Sequence, residues 1–140
     1  MTAQTFGARG ANRYLGDSLS TASPAALLVM LWDRLVLDLQ RAEQAQLDGD
    51  RELAHRNLIH AQDIVHELRN SLQVGAWEGG DNLMALYTWL LKELSAANVS
   101  GDAARTAACR TETVEPLAEA WRQAALEHLS STSAVAPGVA

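Results

Sequence analysis

The chain holds a single cysteine, Cys109, so no internal disulfide can form. A structural zinc site built on thiolates is excluded for the same reason. No apolar run approaches the roughly 20 residues that a membrane span requires. Residues 1–23 lack the continuous apolar core of a cleaved secretory signal. Positive charge is also short: 11 Lys and Arg face 17 Asp and Glu, for a formal net charge of −6. Nucleic acid needs a basic face, so it is not an expected partner. The same acidity disfavours an anionic membrane surface. Arg9 and Arg13 are the only basic residues among the first thirty, which is no polybasic arm. A cytoplasmic protein is the expectation.

Aromatic residues make up only 5% of the chain, while apolar residues make up 48%, with Ala and Leu dominant. That balance suits helices packed on one another better than a sheet. A length of 140 residues fits one domain with a real core.

Residues 1–22 are read as a mobile N-terminal arm, 23–129 as the folded part, and 130–140 as a disordered tail. The first helix should start at Ser23, a good N-cap, with Pro24 at a position where its missing N–H costs nothing. Its inner stripe is Leu28, Leu31, Leu35, Leu39 and Ala42, ending near Asp48-Gly49-Asp50. A second helix, 51–72, carries Ala54, Leu58, Ala61, Val65, Leu68 and Leu72 at alternating steps of four and three, the seam spacing of bundle helices. After the turn Gly75 to Gly80, Asp81 can cap a third helix with the stripe Leu83, Tyr87, Leu90, Leu94 and Ala97. A break at 98–102 leads to a fourth segment, Ala103 to about Leu129, carrying Ala107, Val114, Leu117, Trp121 and Ala125. Pro116 should kink or restart it. The fold class is all-α: an antiparallel four-helix bundle with a mobile N-terminal arm and a disordered C-terminal tail.

Bundles can hold a di-iron site, built from Glu-x-x-His on two helices and a Glu from each of the others. Glu52 to His55 fits that pattern once, and Asp63 to His66 echoes it on the same helix. The two lie about 16 Å apart at 1.5 Å per residue, so they cannot share a metal. His60, Asp63 and His66 drift around the helix and read as a solvated face. Cys109 has no histidine close in sequence to act as a base, and no phosphate loop, nucleophile elbow or zinc-protease motif is present. The expectation is therefore no catalytic residue, no metal and no cofactor. Trp89 and Trp121 lie on or beside stripes and are expected in the core. Trp32, beside the first stripe, fits flank packing and partner binding equally well.

Specificity comes from Tyr14 to Leu35, YLGDSLSTASPAALLVMLWDRL. Tyr14, Thr21, Ala22, Ser23, Pro24, Leu27, Met30, Leu31 and Asp33 resemble the opening of the flagellar chaperone family FliS, with Trp32 where that family usually has tyrosine. Asn57, Ala61 to Val65, Leu68, Ser71 and Leu72 are similar to its second helix. Asn82-Leu83, Leu86-Tyr87, Leu94 and Ala97-Asn98 match its third, and Trp121 matches a late tryptophan. The similarity spans about 14–121. Trp89, where the family tends to tyrosine, and Pro116 are departures.

The resemblance implies a cytoplasmic export chaperone, not an enzyme. Such a protein binds the disordered C-terminal segment of flagellin, prevents premature polymerisation and, loaded with cargo, meets the flagellar type III export gate. A monomer or weak homodimer is expected. The residues expected to touch the partner are Tyr14, Leu15, Leu31, Trp32, Ile64, Leu68, Leu72, Tyr87, Ala104 and Ala108. Tyr14 and Leu15 would fold back as a displaceable plug. The small side chains at 103–108 leave either a shallow trough for cargo or close helix packing. The alternatives from other classes are a metal-dependent, ferritin-like bundle enzyme and a regulatory bundle with a different partner.

Overall fold

The computed structural model describes residues 23–72 and 78–135. The expected N-terminal arm, with Tyr14 and Leu15, lies outside the described residues, as do residues 75–77 of the expected turn and the tail beyond Val135. The architecture is an all-α helical bundle, with four helical runs and no strand among the described residues. The runs are α1 (Pro24–Leu47), α2 (Arg51–Ser71), α3 (Gly80–Ser100) and a last run of three consecutive pieces. Those pieces are α4 (Ala103–Ala108), a π-helical segment (Cys109–Val114) and α5 (Glu115–Val135). The chain divides into two compact units, one spanning Met30–Ala120 and the other combining residues 23–29 with 121–135 of the described chain.

Each helix begins and ends where local chemistry favours it. The Ser23 hydroxyl accepts from the Ala26 N–H at 3.1 Å, satisfying a donor that the first turn of α1 would otherwise leave open. Gly49, at φ 76°, makes the turn out of α1. Asp50 then caps α2 by accepting from the Leu53 N–H. Gly101, at φ 67°, closes α3 in the left-handed conformation that glycine adopts without a Cβ penalty. Asp102 caps α4 by accepting from the Arg105 N–H. Links this short reverse the chain, so α1 and α2, and likewise α3 and α4, run as antiparallel neighbours.

Two expectations need correcting. Asp81 does not cap α3: the cap is Gly79, which offers no side chain, and Asp81 sits in the first turn, where a carboxylate suits the helix dipole. The last helix does not stop near Leu129 but runs on to Val135. The expected restart at Pro116 is present, as α5 begins at Glu115. It follows a π-helical segment in which the Glu115 N–H bonds to the Arg110 carbonyl, five residues back. The wider turn absorbs the proline, whose ring crowds the preceding turn and whose nitrogen donates nothing.

The core of the Met30–Ala120 unit draws on every run. Leu35, Leu39 and Ala42 come from α1, Ala54, Leu58, Ala61, Val65 and Leu68 from α2, and Leu83, Tyr87, Leu90, Leu94 and Ala97 from α3. All are buried as their spacing predicts, while Leu31 and Leu72 are half-buried. The last run behaves differently. It buries Thr106, Cys109, Val114 and Ala118, whereas Ala107 and Leu117 are only half-buried. The step from Cys109 to Val114 is five residues. A π turn makes that step face one direction, where an α-helix would need three or four.

Candidate functional site

The residues expected to touch a partner divide by burial. Trp32, Ile64, Leu68 and Tyr87 are all buried, none more than 6% exposed. They form floor and not surface, so Trp32 resolves to packing and not to an exposed aromatic. Leu31, Leu72 and Ala108 are half-buried, and Ala104 is exposed. Trp32 packs against Tyr87 with ring centroids 6.1 Å apart and planes tilted by 35°, a favourable offset arrangement. Burial pushes the Tyr87 hydroxyl up to about 12. The Trp32 indole nitrogen has no hydrogen-bond partner among the described residues.

Trp89 departs from its expected place. It is 44% exposed on α3, together with Val99 at 79% on the same helix. The large aliphatics Leu47 on α1 and Leu53 and Ile59 on α2 are also exposed. Position Trp89 points about 100° away from the buried Leu90, one residue's rotation, and that offset is enough to leave its ring outside.

Two polar clusters tie the unit together. The Asp38 side chain, fully buried on α1, accepts from Arg34 Nε at 3.1 Å and is joined by His60 Nδ1 from α2. His60 is therefore not simply part of a solvated face, although its side chain is half-exposed. At the end of the unit formed by the α1–α2 and α3–α4 turns, Gln46 donates to the Ala97 carbonyl at 3.1 Å and accepts from the buried Thr106 hydroxyl at 2.8 Å. Asn98 there lies 2.9 Å from His55 Nδ1. Beside that cluster lies a hollow of about 330 Å³ lined by Gln46, Gly49, Arg51, Ala54, Asn98, Ser100 and Gly101. A second, of about 450 Å³, is lined by Arg41, Gln44, Ala45, Asp48, Asp50, Leu53 and Asn57. Both are open to solvent, and most of the residues that line them are polar.

The helical pieces after Gly101 present small side chains. Ala104 is exposed, and Ala103, Ala107 and Ala108 are half-buried. Arg105 bridges from this run to Glu93 on α3 at 2.7 Å. Arg110, in the π segment, grips Glu43 on α1 at 2.8 Å and Glu115 at 2.6 Å. Cys109, which lies between Arg105 and Arg110 in this run, is buried. Burial, then the nearby Glu93 and Glu112 against the opposing Arg105, pushes its thiol up to about 11. A thiol so held stays protonated near neutral pH and is a poor nucleophile. Among the described residues no three His, Cys, Asp or Glu side chains gather as a metal would require, and no described helix is long and apolar enough to cross a membrane.

A family model described as "Flagellar protein FliS" matches residues 7–128. The chain is also 32% identical over 111 residues to the flagellar secretion chaperone FliS of Bacillus subtilis (strain 168), an alignment covering 79% of this chain and 82% of that protein. The family match takes in α1 to α4, the π segment and most of α5, and the identity spans most of both chains. On those grounds the chain belongs to the FliS family of flagellar proteins.

Proposed function

We propose that this protein is a cytoplasmic flagellar secretion chaperone. It binds the disordered C-terminal segment of flagellin, keeps it from polymerising early and hands it to the type III export apparatus. The observation that carries this reading is the family match across residues 7–128, which covers nearly the whole helical run. The side-chain chemistry agrees with a binding role that needs no turnover, because Cys109 is buried with its thiol held protonated. A disordered partner suits such a surface. It can cover roughly 1,000–3,000 Å² of helix face, and ordering it offsets part of the gain, so binding is specific yet reversible. The half-buried Leu31, Leu72 and Ala108 and the exposed Ala104 are the proposed contacts on the described surface, with Tyr14 and Leu15 as the displaceable arm. Trp32, Ile64, Leu68 and Tyr87 support that surface from below. The protein itself is a monomer or weak homodimer in this reading.

The test is calorimetry with flagellin from the same organism. Monomeric flagellin should bind one to one with a negative heat-capacity change, the mark of apolar burial. Flagellin that has lost its C-terminal segment should not bind. Equal binding of both forms would refute the proposal.

A further inference from the structure

Arg110 and Glu115 stand five residues apart and still form an ion pair at 2.6 Å. In an α-helix that spacing sets two side chains about 140° apart around the axis, so pairs form at three and four residues instead. A π turn brings the fifth residue back over the first, as the bond from the Glu115 N–H to the Arg110 carbonyl records. The ion pair therefore belongs to the π form. The guanidinium also holds Glu43 on α1 at 2.8 Å, which ties that register to a second helix. Pro116 favours it too, because in an α-helix its ring would crowd the carbonyl of Glu112.

Burial does not favour the π form in the same way. Counted on from the buried Thr106 and Cys109, an uninterrupted α-helix would next turn Thr113 and Leu117 inward, at steps of four. The extra residue of the π segment places Val114 and Ala118 there instead, 0% and 4% exposed. Thr113 and Leu117 are left half-buried. Val114 is more apolar than Thr113, but Leu117 is larger than Ala118, so the two registers bury comparable apolar side chains. The π form also leaves the Arg110 Nε buried without a partner among the described residues, which counts against it. A polar clamp and a proline ring separate the two registers, and the core does not.

We propose that residues 109–120 form a two-register element, latched in the π form by Arg110 between Glu43 and Glu115. With the latch released, the segment tightens to α and residues 115–120 turn by about 100°, the rotation of one residue. Thr113 and Leu117 then take the inward places of Val114 and Ala118. Arg110 is a positioning residue: it decides which face the first turns of α5 show to the core. Packed side chains hold discrete arrangements, so the change is a step and not a drift.

Thiol labelling in the full chain tests this, with Cys109→Ala so that one introduced cysteine reports at a time. A buried thiol is protected and an accessible one reacts. Thr113→Cys and Ala118→Cys are the reporters, since each is a small change. With Arg110 intact, the thiol at 118 should label about tenfold more slowly than the one at 113. Arg110→Gln with Pro116→Ala should speed labelling at 118 and slow it at 113, by about tenfold or more in their ratio. Faster labelling at both positions would mean plain loosening and would overturn the proposal, as would unchanged rates. With Thr111 deleted as well there is no extra residue to absorb, and both rates should stay within about twofold of those with Arg110 intact. A reversed order in that deletion would also sink the idea. If the double variant shows no cooperative melt, Glu115→Gln replaces it. That substitution should narrow the ratio of rates by about threefold or more, and an unaltered ratio would overturn the latch.

Discussion

The His60→Ala substitution should be far more damaging than its exposure suggests. The His60 side chain is 48% exposed, and changes at such surface positions ordinarily shift stability by no more than about 0.5 kcal/mol. Its Nδ1, however, meets Asp38, whose side chain has no exposure at all. Truncation leaves that buried carboxyl group with Arg34 Nε at 3.1 Å as its remaining recorded partner. Leaving a buried polar group short of a partner costs about 1–3 kcal/mol. In a urea titration followed by circular dichroism, with a slope of about 1–3 kcal/mol/M, a loss of that size moves the midpoint down by very roughly 1 M. His66→Ala is the control, an exposed histidine on the same helix. It should fall within about 0.5 kcal/mol of wild type. Replacing Asp38 by Leu should abolish the extra cost, so that adding His60→Ala changes little further. A His60→Ala midpoint equal to that of His66→Ala would refute the reasoning, since Asp38 would then not depend on His60.

Three further outcomes follow from the same geometry. Ser23→Ala removes the acceptor for the Ala26 N–H and should cost about 0.5–2 kcal/mol in the same titration. Gly101→Ala meets open space but forces a left-handed φ of 67°, so it should cost about 1 kcal/mol or somewhat more in a thermal melt, with Gly101→Asn costing less. Cys109 should resist thiol reagents at pH 8 in the folded chain and react once the chain is unfolded in urea. Its thiol is held protonated up to about 11 against an ordinary 9.0, so the unfolded chain loses that proton first and stability falls as pH rises from about 9 to about 11. Stability flat across that window would contradict a buried thiol.

Most of the fold was legible because three helices obey a single period. The stripes of α2 and α3 follow the steps of four and three that an α-helix requires, and the buried residues fall on them. Caps were legible where a side chain does the capping, as at Ser23. The cap of α3 was hidden because Gly79 contributes only backbone, and backbone leaves no mark in the sequence beyond the glycine itself. The last run misled for a different reason. A stripe counted back from Val114 by sevens reaches Ala107, yet Cys109 is the buried residue, because a π turn adds one residue to the circuit. Pro116 signalled a disturbance, but a proline does not say whether the helix will break, kink or widen. The chain widened.

The surface was harder to read, and the tryptophans show why. Trp32 and Trp89 both border their stripes, so spacing ranks them alike. What separates them is the neighbour across the gap: Tyr87 on α3 meets Trp32 and closes over it, and nothing comparable covers Trp89. Helical period tells which way a side chain points, but only packing tells what it meets. The buried Asp38 makes the same point from the polar side, because its partner His60 lies on another helix and the pairing has no signature in either segment alone. The outward-facing Ala85, Trp89, Lys92 and Val99 of α3, by contrast, repeat in the sequence with the same period as its inner stripe. Assigning one apolar face per helix conceals a second. α2 and α3 have equally regular inner stripes, so that feature says nothing of what their opposite faces carry. On the opposite faces α2 exposes Leu53 and Ile59 among its charges and α3 exposes Trp89 and Val99, so an exposed apolar side chain marks neither helix out from the other.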